Sequence, residues 1–376
     1  MNALRKIESG RTRLLILTGI VAIGFAACSD DEGDRPLAPS PPPSISVASV
    51  GGLPHNDVYD IFEDSQGRMW FATNSGVLMI DGTTSKVFDD QDSIPNRQIR
   101  AVAELNDQIW VGTWGGDGGT GGVGFADSMA IYDDDTPWDQ LPIADARLPE
   151  RKVSSLAVDA SLDFLYIGTA NGMTRYRNIS TGPERDKWRS WAGPSSAMGG
   201  NGNISDLVFY NSPRGKEVWI TKRNTQDDEG NIPGHVSIFR PGTGFSFLTP
   251  ANSAIPSTDA TAVIVDPNND LVYATFADAG VSSVDVDGSK WTHFDSPEGL
   301  VSSFAMAIGI QADGTKWVGT MAGLTCVTPA GNITNYTAGS GLPTVQIQAI
   351  FVDSQDRVWL GFIGGGAARV TSAEGH

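Results

Sequence analysis

Few side chains in this sequence could begin a reaction. Its histidines are His55, His235, His293 and His376, and its cysteines are Cys28 and Cys326. No His-x-x-x-His or Cys-x-x-Cys pair is present to hold a metal, and no Gly-x-Ser-x-Gly turn presents a nucleophile. A metal-assisted reaction would have to join His55 or His235 to an acid such as Glu229, and the spacing gives that pairing no support. Asp133-Asp134-Asp135 and Asp227-Asp228-Glu229 offer hard oxygen ligands. Both lack the alternation and downstream glutamate of a calcium loop, so solvated turns are the favoured reading. The glycine-rich run 115–124 has no Gly-Lys-Ser/Thr and opens no helix, which rules out a phosphate cradle of the nucleotide-binding kind. Cys326 follows Gly323-Leu324-Thr325 in a strand-like run and reads as a small buried residue. No catalytic residue, metal ligand or cofactor is expected.

Binding chemistry has better material. Two loops, 114–124 and 222–234, are long for their positions, and long loops on a rigid scaffold concentrate function. Trp114, Lys222 and Arg223 from these loops, with Asn74 and Arg97 from the first repeat, are the expected ligand-binding residues. Together they could stack on and hydrogen-bond a polar ligand such as a sugar at a shared mouth.

The scaffold that must position them is a repeat. One aromatic strand recurs as Trp70-Phe71-Ala72-Thr73, Trp110-Val111-Gly112-Thr113, Tyr166-Ile167-Gly168-Thr169 and Trp219-Ile220-Thr221-Lys222. It returns as Tyr273-Ala274-Thr275-Phe276, Trp317-Val318-Gly319-Thr320 and Trp359-Leu360-Gly361-Phe362. A period of about 40 to 50 residues marks a repeat architecture. Side chains alternate faces along a strand, and here both faces are apolar or small, so each strand is buried on both sides between neighbours. The small residue is expected to make room for the ring of the adjoining unit. A first strand precedes each copy, at 58–62, 99–103, 153–158, 204–209, 261–265, 305–310 and 347–352. Asp-rich turns such as Asp64-Ser65-Gln66-Gly67 and Asp353-Ser354-Gln355-Asp356 join the two and read as hairpin ends. Third and fourth strands follow, so the fold is all-β: a seven-bladed β-propeller of four-stranded antiparallel blades. The last copy lacks a fourth strand, and residues 44–50 are expected to complete it and close the ring.

Composition and the N-terminus bound the setting. A formal charge of -18 opposes nucleic-acid binding, because backbone phosphates need Lys and Arg to displace their counterions. Basic residues Arg5, Lys6, Arg11 and Arg13 precede an apolar run at 14–25, too short to span a bilayer as a mature helix. Phe25-Ala26-Ala27-Cys28 resembles the lipobox of bacterial lipoproteins, which implies cleavage before Cys28 and its acylation. The expected organisation is a signal peptide at 1–27, an acidic and proline-rich tether at 28–43 and the propeller at 44–376. Ser29 in place of an aspartate implies sorting to the outer membrane, on its periplasmic or outer side.

Gly-Leu-Pro, then Val-x-x-Ile-x-x-Asp, Gly-x-x-Trp-x-Gly-Thr and Gly-Val or Gly-Leu, resembles the two-component regulator propeller repeat. The match is strongest at 51–82, 299–324 and 340–362. The resemblance implies a periplasmic sensor part that responds to glycan-derived ligands. With no kinase or receiver segment in view, the expectation is a free-standing, lipid-anchored ring whose partner is a glycan or an envelope protein. A second resemblance, to the seven-bladed streptogramin lyases, implies a metal-assisted His and Glu on one face and is the enzymatic alternative.

Overall fold

In a computed structural model of the protein, the structure describes residues 43–373 apart from 116–119, 129–130, 132–137, 142–146, 178–186, 193–197, 199–201, 228–229, 267 and 286–289. The expected signal peptide, nearly all of the tether, Cys28 and the acidic run at 133–135 lie outside the described residues, as do Glu229 and His376. No described helix is long and apolar enough to cross a membrane.

Blade one shows how each unit is made. Its strands are Val58–Glu63, Met69–Thr73, Gly76–Asp81 and Thr84–Phe88, hydrogen-bonded in that order and antiparallel throughout. The innermost strands of the next six blades are Ile99–Leu105, Val153–Asp159, Ile204–Ser212, Ala260–Val265, Ala305–Ile310 and Ile347–Val352. Each innermost strand packs on that of the following blade, and the seventh packs on the first, so the fold is a seven-bladed β-propeller. An ancillary two-stranded ribbon, Thr225–Asp227 with Gly230–Ile232, rises within the long loop of blade four.

The ring closes as expected. Ile45–Ser49 pairs antiparallel with Ala367–Ala373 and forms the outermost strand of blade seven. Ile45 is buried in the core shared by Trp317, Tyr336, Ile347 and Leu360, and its amide donates to the Ser340 carbonyl at 2.8 Å. Gly341, at φ 109°, lies so close that a Cβ there would meet the Ile45 carbonyl oxygen at 2.2 Å. The first and last described strands are thus held in one sheet.

The second strands are buried on both faces, Met69–Thr73 and Phe164–Thr169 along their whole length. Where the small residue is glycine, in four of the blades, its neighbour differs from the one expected. A Cβ at Gly112 would meet Val153 at 2.5 Å, at Gly168 Ile204 at 2.8 Å, at Gly319 Ile347 at 2.6 Å and at Gly361 Val58 at 3.0 Å. The space is filled by the β-branched residue that opens the next blade's inner strand. Wedges converge toward the axis, and each of these second strands approaches the next blade's inner strand where only a hydrogen can sit between them. The following threonine closes the hairpin: the hydroxyls of Thr73, Thr169 and Thr320 donate to the carbonyls of Gly76, Gly172 and Gly323.

The turn acids are hairpin ends with a further task. In blade one the buried Asp64 carboxylate accepts from the amides of Gln66 and Arg68, from Arg68 Nε at 2.6 Å and from Trp70 Nε1 at 2.8 Å. Asp353 in blade seven accepts the same four bonds from Gln355, Arg357 and Trp359. In blade six Gln311 replaces the acid and accepts from Trp317 Nε1 at 2.7 Å. A buried indole N–H needs an acceptor, and the turn supplies it. Neighbouring blades are linked on this side by Ser65 bonding to Glu104 and Ser354 to Glu63.

Candidate functional site

Every innermost strand carries the same irregularity. Pairing with the second strand slips between Val58 and Asp60, Ile99 and Ala101, Val153 and Ser155, and at the matching step in the other four blades. One residue per blade is left unopposed: Tyr59, Arg100, Ser154, Ser205, Thr261, Met306 and Gln348. Such bulges re-aim side chains, and all seven residues line a central cavity of about 440 Å³. The fold therefore builds a ring of seven variable side chains on a constant frame.

Polar chemistry gathers on one arc of that ring. The Arg100 guanidinium lies 3.4 Å over the Tyr59 ring and donates to Asn74 Oδ1 at 3.3 Å. Burial holds the Arg100 pKa below its ordinary value, opposed by Tyr59 and Asp57; an arginine remains charged regardless. Beside it, Asp60 accepts from the amides of Ile61 and Val102, each at 2.8 Å. Burial pushes the Asp60 carboxyl up to about 7, with Asp206 adding to the rise. Asp206 sits at the equivalent position of blade four, accepting from Ser155 Oγ at 2.8 Å and the Val263 amide at 3.0 Å, and burial raises its pKa too. Ser154 Oγ is buried without a partner. The cavity thus offers a fixed cation, two carboxyls that hold protons unusually well and an unused hydroxyl, which can donate to and accept from a hydroxyl-rich ligand.

The five residues expected from the sequence are held in separate settings, and none lines the cavity itself. Asn74 meets Arg100, as above. Arg97 is exposed and paired with Asp90 at 3.0 Å. Trp114 is half-buried at the root of its loop, where its amide donates to the Gln98 carbonyl at 2.7 Å and it bridges to Lys152. Arg223 pairs with Asp259 at 2.7 Å and helps tie the blade-four loop to the residues leading into blade five. Lys222 departs from expectation: it is fully buried, its Nζ donating to the Met198 carbonyl at 2.9 Å, and burial lowers its pKa to about 7. It closes the base of its loop and does not face a mouth. Tyr59, Arg100, Asp60 and Asp206 were missed. Their signal was a polar or aromatic residue one or two places into an otherwise apolar first strand, repeated by position but not by type.

His55 and His235 make local structural contacts. His55 Nδ1 accepts from the Asp57 amide at 2.9 Å. His235 is buried, with Nε2 3.3 Å from the Met198 carbonyl, and burial followed by the Lys222 charge lowers its pKa to about 4. Cys326 lies in the core, as expected, where burial raises its pKa to about 11. Among the described residues no three of His, Cys, Asp and Glu come together to hold a metal.

A seven-bladed propeller with a lined axial cavity is the class these features define. Residues 52–75, the first inner hairpin, match the family model described as two component regulator propeller, so blade one carries that repeat. No curated protein matches the chain. Among solved structures it resembles the extracellular domains of two systems described as hybrid two-component systems of B. thetaiotaomicron. One has 17% identity and a TM-score of 0.67 over 87% of this chain and 42% of that one. The other has 16% identity and a TM-score of 0.66 over 86% and 39%. The chain thus spans about two fifths of those domains. It also resembles virginiamycin B lyase from Staphylococcus aureus, at 11% identity and a TM-score of 0.60 over 87% of this chain and 98% of that one. At these identities the likeness is one of fold.

Proposed function

We propose that this protein is a lipid-anchored, extracytoplasmic binding module of the sensor type, whose axial cavity takes a hydroxyl-rich ligand such as a glycan end. The observation that carries the reading is the Arg100 guanidinium, held by Tyr59 and Asn74, in a cavity that the proton-holding Asp60 also lines, so a planar donor and a carboxyl serve one space. Likeness to extracellular domains and the lipobox-like Phe25-Ala26-Ala27-Cys28 support the address. An envelope protein is the other partner class that fits an exposed rim. The metal-assisted lyase alternative draws on no comparable feature, since His55 is engaged in a turn and His235 is buried.

A glycan array probed with the wild-type protein and with Arg100→Ala tests the reading. Retained glycans that are lost in the variant, while its unfolding midpoint holds, are expected. A blank array, or binding indifferent to Arg100, refutes the cavity assignment. Metabolic labelling with a fatty-acid analogue that disappears in Cys28→Ala checks the anchor.

A further inference from the structure

Away from the axis, three arginines of blade three share one surface, and among the described residues no acid pairs with them. Arg175 and Arg177 lie on Gly172–Arg177 and Arg189 on Trp188–Ala192, where Arg175 and Arg189 are direct cross-strand partners. Like charges directly opposite in a sheet repel. Among the described residues none of the three has an ion pair: the nearby Asp159 is engaged by Lys216 at 2.7 Å, and Glu217 by Arg240 at 2.7 Å. Arg177 Nε is buried with no hydrogen-bond partner. Burial first, then Arg189 and Arg177, depress the Arg175 pKa. In a chain of formal charge -18 these three form, among the described residues, an island of positive charge.

The island borders a cleft. Arg175 and Arg189 line a space of about 210 Å³ between blades three and four, together with Trp191, Phe239, Phe245 and the turn at 241–244. The aromatic wall is continuous: Trp191 lies 4.8 Å from Phe239 and 5.5 Å from Phe245, centroid to centroid. The Arg189 guanidinium sits 5.1 Å over Trp191, and that of Arg175 sits 4.2 Å over Phe164. Ring contacts hold the guanidinium planes; the Tyr166 hydroxyl lies beside Arg175, and among the described residues no carboxylate pairs with either edge. That is the presentation an oxyanion meets with paired N–H donors. The volume equals the liquid share of about seven waters, enough for one small ring-bearing ligand.

We propose that this cleft is a second binding site, for a small organic carboxylate whose charged end meets Arg175 and Arg189 and whose flat apolar face lies on Trp191 and Phe245. It is separate from the axial cavity and uses none of its residues. Calorimetric titration of the protein at low salt with benzoate, inorganic sulfate and benzyl alcohol tests it. Benzoate should bind at least tenfold more tightly than either sulfate, which lacks the apolar face, or benzyl alcohol, which lacks the charge. Arg189→Gln, a change at an exposed position, and Arg175→Gln should each weaken benzoate at least tenfold with near-UV circular dichroism unchanged. Arg100→Ala should leave benzoate binding as it was. Should Arg175→Gln fail to fold, Arg189→Gln alone decides. The site is overturned if benzoate does not bind, if sulfate or benzyl alcohol binds as well, or if Arg189→Gln has no effect.

Discussion

Removing the turn carboxylates should have unequal consequences in two blades that make the same bonds. Asp64 and Asp353 each accept from two turn amides, an arginine Nε and an indole N–H. In blade one the Arg68 side chain is 3% exposed, and its Nη1 donates to the Ser128 carbonyl. In blade seven the Arg357 side chain is 33% exposed. Asp64→Ala strands a buried guanidinium, and losing one partner of a buried pair costs about 3 to 5 kcal/mol. The orphaned Trp70 indole adds about 1 to 3 kcal/mol. Asp353→Ala takes the acceptor from Trp359, which is only half-buried, and Arg357 can turn to water, so about 2 kcal/mol is expected. Against a total stability of about 5 to 15 kcal/mol, the first change should bring the protein to the edge of unfolding and the second should not. Urea unfolding followed by tryptophan fluorescence measures both. Equal losses, or a larger loss at Asp353, would refute the argument that burial of the arginine sets the cost.

Other consequences follow from the contacts around the axis. Gly361→Ala places a Cβ 3.0 Å from Val58 across the joint between blades seven and one, and should cost about 1 to 3 kcal/mol in urea unfolding; an unchanged midpoint would mean that the joint is slack. Asp60 has a folded pKa near 7 against an ordinary value of 3.8, so the unfolded chain loses its proton first as pH rises. The group's contribution therefore falls between about pH 4 and pH 7 and is level above that, by a few kcal/mol at most because the cavity admits water. Asp60→Asn removes this slope while losing about 1 kcal/mol for an amide left facing NH2. The stability of the variant relative to wild type should thus improve from pH 4 to pH 8, and a pH-independent difference would count against the raised pKa. Asp206, which lines the same cavity and whose pKa burial also raises, is left intact in both proteins.

Repetition made the frame legible. Seven aromatic strands, the acids that turn into them and the unpaired edge of the last blade were all readable, because each follows from a local rule applied seven times. Even the crossing of 45–49 to blade seven could be inferred from the missing fourth strand there. The ligand-facing ring was not readable, for a physical reason. Its members sit at one position per blade, but they are Tyr, Arg, Ser, Ser, Thr, Met and Gln, so the position repeats and the chemistry does not. Only the bulge in the backbone shows that Arg100 turns to the axis while Arg97, three residues earlier, stays on the rim. Lys222 misled because a lysine after a strand reads as solvated. Its burial depends on the Met198 carbonyl 24 residues away, a contact that no periodicity reports. The small residues were recognised as making room, but for the wrong occupant, since strand alternation says which face is crowded and not which neighbour does the crowding.

Closure of the ring by the N-terminal strand sets the frame on which the cavity, its bulge residues and the blade joints all depend. A cross-link reads it directly: Ser46 faces Ser372 in the seventh blade, and both are exposed. Antiparallel partners lie about 4.5 to 5.5 Å apart at Cα, within the span of a disulfide. The double variant Ser46→Cys/Ser372→Cys, oxidised and analysed by mass spectrometry after proteolysis, should yield the linked peptides and a higher unfolding midpoint than its reduced form. Free thiols at both positions after oxidation, in a protein that remains folded, would contradict the closed seven-bladed ring.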